Sequence, residues 1–308
     1  FIAGINIWSP SLSIIRENKI LLLLFLAFTA IAPLTALQSQ GIFVGFRKTE
    51  YSFIQTIVTF ARIGIVPFLT AFGAVGIYAS FGLTPLLAFI VGIFLTSRIL
   101  NYKPVPTVRR EVLNEIFHFS FGNYLARIFG ALPTFVLPIM VVNVLGKEEN
   151  AYFYIVWQIL MLILAIPSFT SVSLLAELSH NRNELRKKII MASKFIFLLL
   201  GITVAGVFLH GRHLLWVFGE KYAENGFELL SILVLGTFPF AFIILYATIK
   251  RVQKEIKPVI LVYGGIASIT LVASHLLMQN MGLVGIGVGW VVANCVVAGG
   301  ITYNLYRR

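Results

Sequence analysis

Aspartate is missing from the chain, and all 12 acids are glutamate. Charge of either sign is scarce, at 12% of 308 residues, where a soluble domain carries about 25%. That leaves too little polar surface to coat a globule of this size and excludes a soluble single-domain enzyme. Cysteine occurs once, as Cys295 inside an apolar run, so no internal disulfide can form. There is no N-x-S/T glycosylation acceptor. The chain has no P-loop, no H-E-x-x-H and no Cys/His cluster, so P-loop ATP hydrolysis and a metal centre of these types are not expected. Without Asp, the metal-binding Asp motifs of membrane glycosyltransferases cannot occur. No Ser-His-acid arrangement has local support. Neither covalent catalysis nor a cofactor is expected.

Apolar residues make up 58% of the chain, and the mean hydropathy is +0.92. Crossing a bilayer as a helix takes roughly 20 such residues, so the length has room for about nine to twelve crossings. Nine runs stand out, at 20–42, 53–72, 75–95, 116–145, 151–175, 189–209, 227–249, 259–277 and 283–303. Long uncharged runs read as spanning helices because backbone groups must be satisfied internally in lipid. Strict alternation of apolar and polar residues, the mark of a membrane β-barrel, is absent. The expected fold class is an all-α polytopic membrane protein of about nine transmembrane helices. Residues 1–8 read as the end of an earlier helix, and the chain starts with Phe1 rather than Met. A missing N-terminal portion is therefore expected.

The net charge of +12 could point to nucleic acid, but in a chain this apolar it points to basic loops that set membrane topology. No nucleic-acid partner is expected. One set of alternate loops holds Arg47, Lys48, Arg98, Lys103, Arg109, Arg110, Arg182, Arg186, Lys187, Lys188, Lys250, Arg251, Lys254 and Lys257, with Arg307 and Arg308 at the C-terminus. The other set holds Arg16, Lys19, Lys147, Arg212 and Lys221. The alternation does not break across the nine segments. It predicts a multi-pass protein of the cytoplasmic membrane with its C-terminus in the cytoplasm.

The basic loop after the third segment, with Pro104 and Pro106, is the expected boundary between halves. On this reading residues 1–100 are the remainder of an N-terminal helical bundle with about three spans. Residues 101–114 are a basic cytoplasmic linker, and 115–308 form a six-helix C-terminal bundle. Val75-Gly76-Ile77 and Val284-Gly285-Ile286 open helices at comparable places in the two halves, a short echo of the kind left by the internal repeats of transporters.

Two arginines lie within apolar runs. Arg62 is about nine residues into the second segment, roughly 13 Å at helical rise. A charge near mid-bilayer costs at least ~2.5–3.5 kcal/mol on insertion scales and normally faces protein interior or a watery cavity. Ser52, Gln55, Thr59 and Arg62 follow helical spacing and form one polar stripe. Arg127 repeats the pattern with Ser120, Asn123, Gly130 and Thr134. Together they predict a cationic cavity, and a guanidinium fork suits phosphate. The candidate binding residues are Arg62, Arg127, Gln55, Thr59 and Asn123. Lys194, Glu115, His118 and His275 read as residues near the membrane edge, and Gln158 and Asn294 as buried amides bridging helices. Of the prolines within the runs, Pro133 and Pro138 mark the fourth segment as the one expected to bend.

Several short motifs together carry a family resemblance. They are Leu145-Gly146 followed by Ala151-Tyr152-Phe153, then Phe218-Gly219-Glu220-Lys221-Tyr222 with Leu229-Leu230-Ser231-Ile232-Leu233, then Gly282-Leu283-Val284-Gly285-Ile286. With these the chain resembles the polysaccharide-export flippases of the MATE-related exporter superfamily. The resemblance implies a MATE-like pair of six-helix bundles, with helices four to twelve present and an incomplete N-terminal bundle. It implies alternating-access transport of a lipid-linked oligosaccharide or polysaccharide precursor between leaflets. Basic residues in the central cavity would meet the substrate's phosphates, a role that Arg62 and Arg127 match by depth and face. Membrane lipid is an implied partner, and glycan-assembly enzymes are further candidates. A MATE-type multidrug or cation antiporter is the alternative, although such a pump should present acids to its cargo. An integral-membrane glycan polymerase is a third reading, which the short loop at 210–226 weakens.

Overall fold

The computed structural model describes residues 19–43, 49–69, 73–99, 110–180 and 185–307. Among the described residues all regular structure is helical, as the apolar runs require. The chain divides into two compact units between Thr107 and Val108.

The first unit holds α1 (Lys19–Ala36), a π-helical stretch (Leu37–Phe43), α2 (Thr49–Phe60), α3 (Arg62–Leu69) and α4 (Gly73–Ile99). The second holds α5 (Arg110–Val144), α6 (Lys147–His180), α7 (Leu185–Trp216), α8 (Glu220–Leu235), α9 (Thr237–Val252), α10 (Ile256–Met281) and α11 (Leu283–Tyr306). Seven helical stretches are long and apolar enough to cross a membrane, and α8 with α9, bent by 41°, makes an eighth. Within α4, Gly82–Arg98 is a shorter apolar piece. Where their residues are described, the nine apolar runs lie on these helices except at the turn residues Ala61, Leu145 and Gly236.

α5 runs without a break through Pro133 and Pro138. Among the described residues a broken span is α8–α9, at Gly236. A Cβ there would collide with the Trp290 ring, so glycine lets α11 press against the joint. A second break, at Ala61, separates α2 from α3. α5 also starts at Arg110, inside the stretch expected to be linker.

The second unit is built round a continuous apolar core contributed by α5 to α11. Trp157 on α6 and Trp290 on α11 meet edge to face at 6.4 Å, and Phe153 and Phe240 pack against them. Lipid tails are as apolar as leucine, so helices associate through close packing instead of water exclusion. Gly285 and Gly289 supply that closeness. A Cβ on Gly289 would lie 2.6 Å from Ser274 N, and one on Gly285 would strike the backbone of Leu277. Tight turns join the helices at Gly146, Gly219 and Gly282, all with positive φ, a backbone geometry glycine adopts without steric cost.

The first unit is held differently. Gln55 on α2 is 2% exposed and donates to Gln38 Oε1 in the π-helical stretch at 3.0 Å and to the Ala88 carbonyl of α4 at 3.0 Å. Ser39 and Ser52 share a hydrogen bond of 2.5 Å. Thr35 donates to the Pro85 carbonyl at 3.2 Å. Gly92 leaves room for the amide pair, since a Cβ there would run into both glutamines.

Candidate functional site

The two polar stripes form different structures, each within its own unit. In the first unit the α2 stripe turns inward. Ser52 and Gln55 are tied to the π-helical stretch, and Thr59 donates to the Gln55 carbonyl at 2.9 Å. Gln55 and Thr59 line a cavity of 280 Å³ with Thr35, Ser39, Thr56 and Pro85. The Gln55 Oε1 atom has no hydrogen-bond partner among the described residues. Arg62 opens α3 directly after the break at Ala61, and its side chain lies outside the described residues.

In the second unit, Asn123 on α5 accepts a hydrogen bond from Arg251 Nε at 3.1 Å. The Arg251 guanidinium lies over the Tyr263 ring of α10, 5.6 Å from its centroid. Asn123 therefore positions a cation. Asn123, Arg127 and Gly130 share one face of α5 by three-and-four spacing, and a Cβ on Gly130 would sit 3.3 Å from the Tyr263 ring. Arg127 is exposed on that face, between the level of Arg251 and the level of Tyr263. Asn123, the Arg251 guanidinium and the Tyr263 ring thus meet on α5, α9 and α10, with Arg127 one turn further along the same face of α5. The ion pairs of the described residues involve Lys188, Lys221 and Lys250. Among those residues neither Arg127 nor Arg251 is paired with a carboxylate.

Arg251 was counted in the sequence only as one of the basic residues that set topology. A signal was present, because Tyr246, Lys250 and Arg251 close a helix whose partner opens with Lys257 and then Tyr263. Spacing alone could not show that α9 returns to α5. Asn123 sits beside Arg251 at the last turn of α9, and a Cβ on Gly122 would meet Ile256 at the first turn of α10. Arg127 is one helical turn, about 6 Å, from that level, and α5 extends past it toward Arg110.

Other polar residues take plainer roles. Gln158 is exposed on α6 instead of buried between helices. Asn294 is fully buried, but its amide donates to the Trp290 carbonyl of its own helix at 2.8 Å. Lys194 and His275 are exposed. The side chains of Glu115 and His118 lie outside the described residues.

The helical architecture superposes on solved MOP superfamily transporters, whose fold the chain shares. The crystal structure of a MATE protein in the bent conformation superposes with a TM-score of 0.78 at 18% identity, covering 92% of this chain and 67% of that one. A multidrug resistance MATE family transporter in an outward-facing conformation gives 0.73 at 16% identity, covering 87% of this chain. A MOP superfamily transporter from Pyrococcus furiosus gives 0.72 at 17% identity, covering 87% of this chain, and is described as having a binding pocket of reversed polarity that suggests a different function. The chain spans 65% of the length of each of the last two. No curated protein matches the chain. A family profile described as "Polysaccharide biosynthesis protein" matches residues 1–226, and the chain belongs to that family.

Proposed function

We propose that the protein is a flippase. It would carry a lipid-linked oligosaccharide or polysaccharide precursor across the cytoplasmic membrane by alternating access. Arg127 and Arg251 would bind the diphosphate of the carrier lipid, and Arg62 would contribute a further cation. Within the first unit, Thr59 is proposed as a polar contact to cargo, and Gln55 as the buried residue that braces that stripe. The two units are taken to be the halves of the transporter, a partial N-terminal bundle and a C-terminal six-helix bundle. The C-terminus is assigned to the cytoplasm on the distribution of basic loops.

The observation that carries the reading is the Arg251 guanidinium held by Asn123 and the Tyr263 ring, with Arg127 one turn along the same face of α5. A cation normally has a carboxylate or water at hand, and uncompensated cations held near each other favour an anion. Arg251 is oriented before any ligand arrives, by a hydrogen bond to Nε and by the Tyr263 ring. Its two terminal amino groups keep their donors for a phosphate fork. Membership in a polysaccharide biosynthesis family points to a glycan on the other side of that phosphate.

A MATE-type cation antiporter is the second reading, favoured by the superpositions alone. It needs acids facing the cargo, and the chain offers no Asp and an arginine cluster. The reversed pocket polarity described for the Pyrococcus furiosus protein fits a change of cargo on a shared fold. Translocation of a lipid-linked glycan in vesicles decides between them. Arg127→Ala with Arg251→Ala should abolish it, while unchanged transport would overturn the assignment. Ethidium efflux by the unaltered protein would favour the antiporter.

A further inference from the structure

The turn joining α7 to α8 carries a second cleft that the arginine cluster does not touch. Its volume is 440 Å³. Arg212, His213 and Trp216 from the end of α7 form one wall, and Glu220, Ala223 and Glu224 from the start of α8 form the other. Glu220 and Glu224 lie one turn apart on the same face. Arg212 is held against the Phe227 ring, 5.6 Å from its centroid. The ion pairs of the described residues do not include Arg212, Glu220 or Glu224. Side chains of both charge signs therefore line one cleft without forming an ion pair.

The surroundings of this cleft match those of a bilayer's headgroup region. α7 is a candidate span that ends at Trp216. Trp216, Val217 and Phe218 expose 65%, 76% and 48% of their surface at the turn. Exposed aromatic and aliphatic side chains at the end of a span belong at headgroup depth.

We propose that this cleft binds the headgroup of a phospholipid with a primary amine, the phosphoethanolamine class. Arg212 and His213 would take the phosphate, for which a guanidinium fork is suited. Glu220 and Glu224 would take the ammonium, whose three N–H donors need acceptors. Trp216 and Val217 would lie against the glycerol and acyl chains. A simple anion would leave two carboxylates uncompensated, a simple cation would leave the guanidinium so, and a neutral sugar would leave both. Only a zwitterion answers the two walls together. This site is independent of the glycan reading, since it needs neither the arginine cluster nor transport.

The test follows thermal unfolding of the purified protein in detergent micelles while short-chain lipids are added, because a ligand of the native state raises its stability. Dihexanoyl phosphatidylethanolamine should give a saturable rise. The phosphatidylcholine and phosphatidylglycerol analogues should bind about tenfold more weakly or worse, since one lacks N–H donors and the other lacks the ammonium. Arg212→Gln, and separately Glu220→Gln with Glu224→Gln, should lose the response while unfolding at the unaltered temperature without lipid, as these side chains are exposed. Equal responses to the three lipids, a response to phosphatidylethanolamine kept in both variants, or a response to a soluble oligosaccharide in its place would overturn the proposal.

Discussion

The two units bury their helices to different extents. In the first, 6% of Leu22–Ser39 and 6% of Glu50–Leu69 is buried, whereas in the second the share runs from 17% for Arg186–Trp216 to 44% for Leu283–Tyr306. The first unit is stapled by a few side-chain hydrogen bonds through Gln38, Gln55, Ser39, Ser52 and Thr35. The second is held by aromatic packing and by glycines that let α10 and α11 touch. Inside a bilayer both devices work, because helix association there draws on van der Waals contact and interhelical hydrogen bonds. They differ in tolerance. A hydrogen-bonded pair can lose one member at modest cost, whereas a backbone-to-backbone contact has no slack.

The sharpest way to break this contrast is Gly289→Leu, or Gly285→Leu. Neither the Ser274 nor the Leu277 backbone can move aside, so thermal unfolding in micelles should show a loss above about 3 kcal/mol, the upper end for overpacking. Gly206→Ala in α7 is the control. No atom lies within 4 Å of its Cβ position, and stability should stay within about 0.5 kcal/mol. Next in size, Trp157→Ala should cost about 3–5 kcal/mol, as large core truncations do. Phe53→Ala on α2, where the ring is 66% exposed, should cost less than about 0.5 kcal/mol. If the two changes cost the same, the units do not differ as described.

A smaller effect tests the staples themselves. Gln55→Ala removes bonds to Gln38 and Ala88, and interhelical hydrogen bonds in membranes are worth about 0.6–1.7 kcal/mol each. The same measurement should return a loss of about 1–3.5 kcal/mol for the two bonds together. Smallest of all in stability is Asn123→Ala, expected to leave unfolding nearly unchanged. It frees the Arg251 guanidinium to turn, so its effect should show in diphosphate affinity, as a decrease of about threefold from lost pre-organisation.

The helical spans were legible because lipid allows few solutions. A run such as 151–175, apolar and bounded by Glu148, Glu149 and Glu177, has no other stable state. The breaks were less legible, because a break depends on the partner. Gly236 is special only because Trp290 lies against it, and Pro133 and Pro138 sit inside a helix that stays continuous. The binding residues show the same limit. Helical spacing put Gln55 and Thr59 on one stripe, and they line one cavity; it put Asn123 and Arg127 on one face of α5. It could not show that Gln55 would be consumed by Gln38, or that Arg251, 128 positions away from Asn123 in sequence, would complete the second group.

The measurement closest to the central claim is direct binding of a polyprenyl diphosphate to the purified protein, compared across Arg127→Ala, Arg251→Ala and the double variant. Charge-assisted hydrogen bonds are worth about 1.5–3 kcal/mol, so each single change should weaken binding about tenfold or more. The double change should weaken it further, with the fold retained. Binding that is unmoved by either substitution would contradict the account.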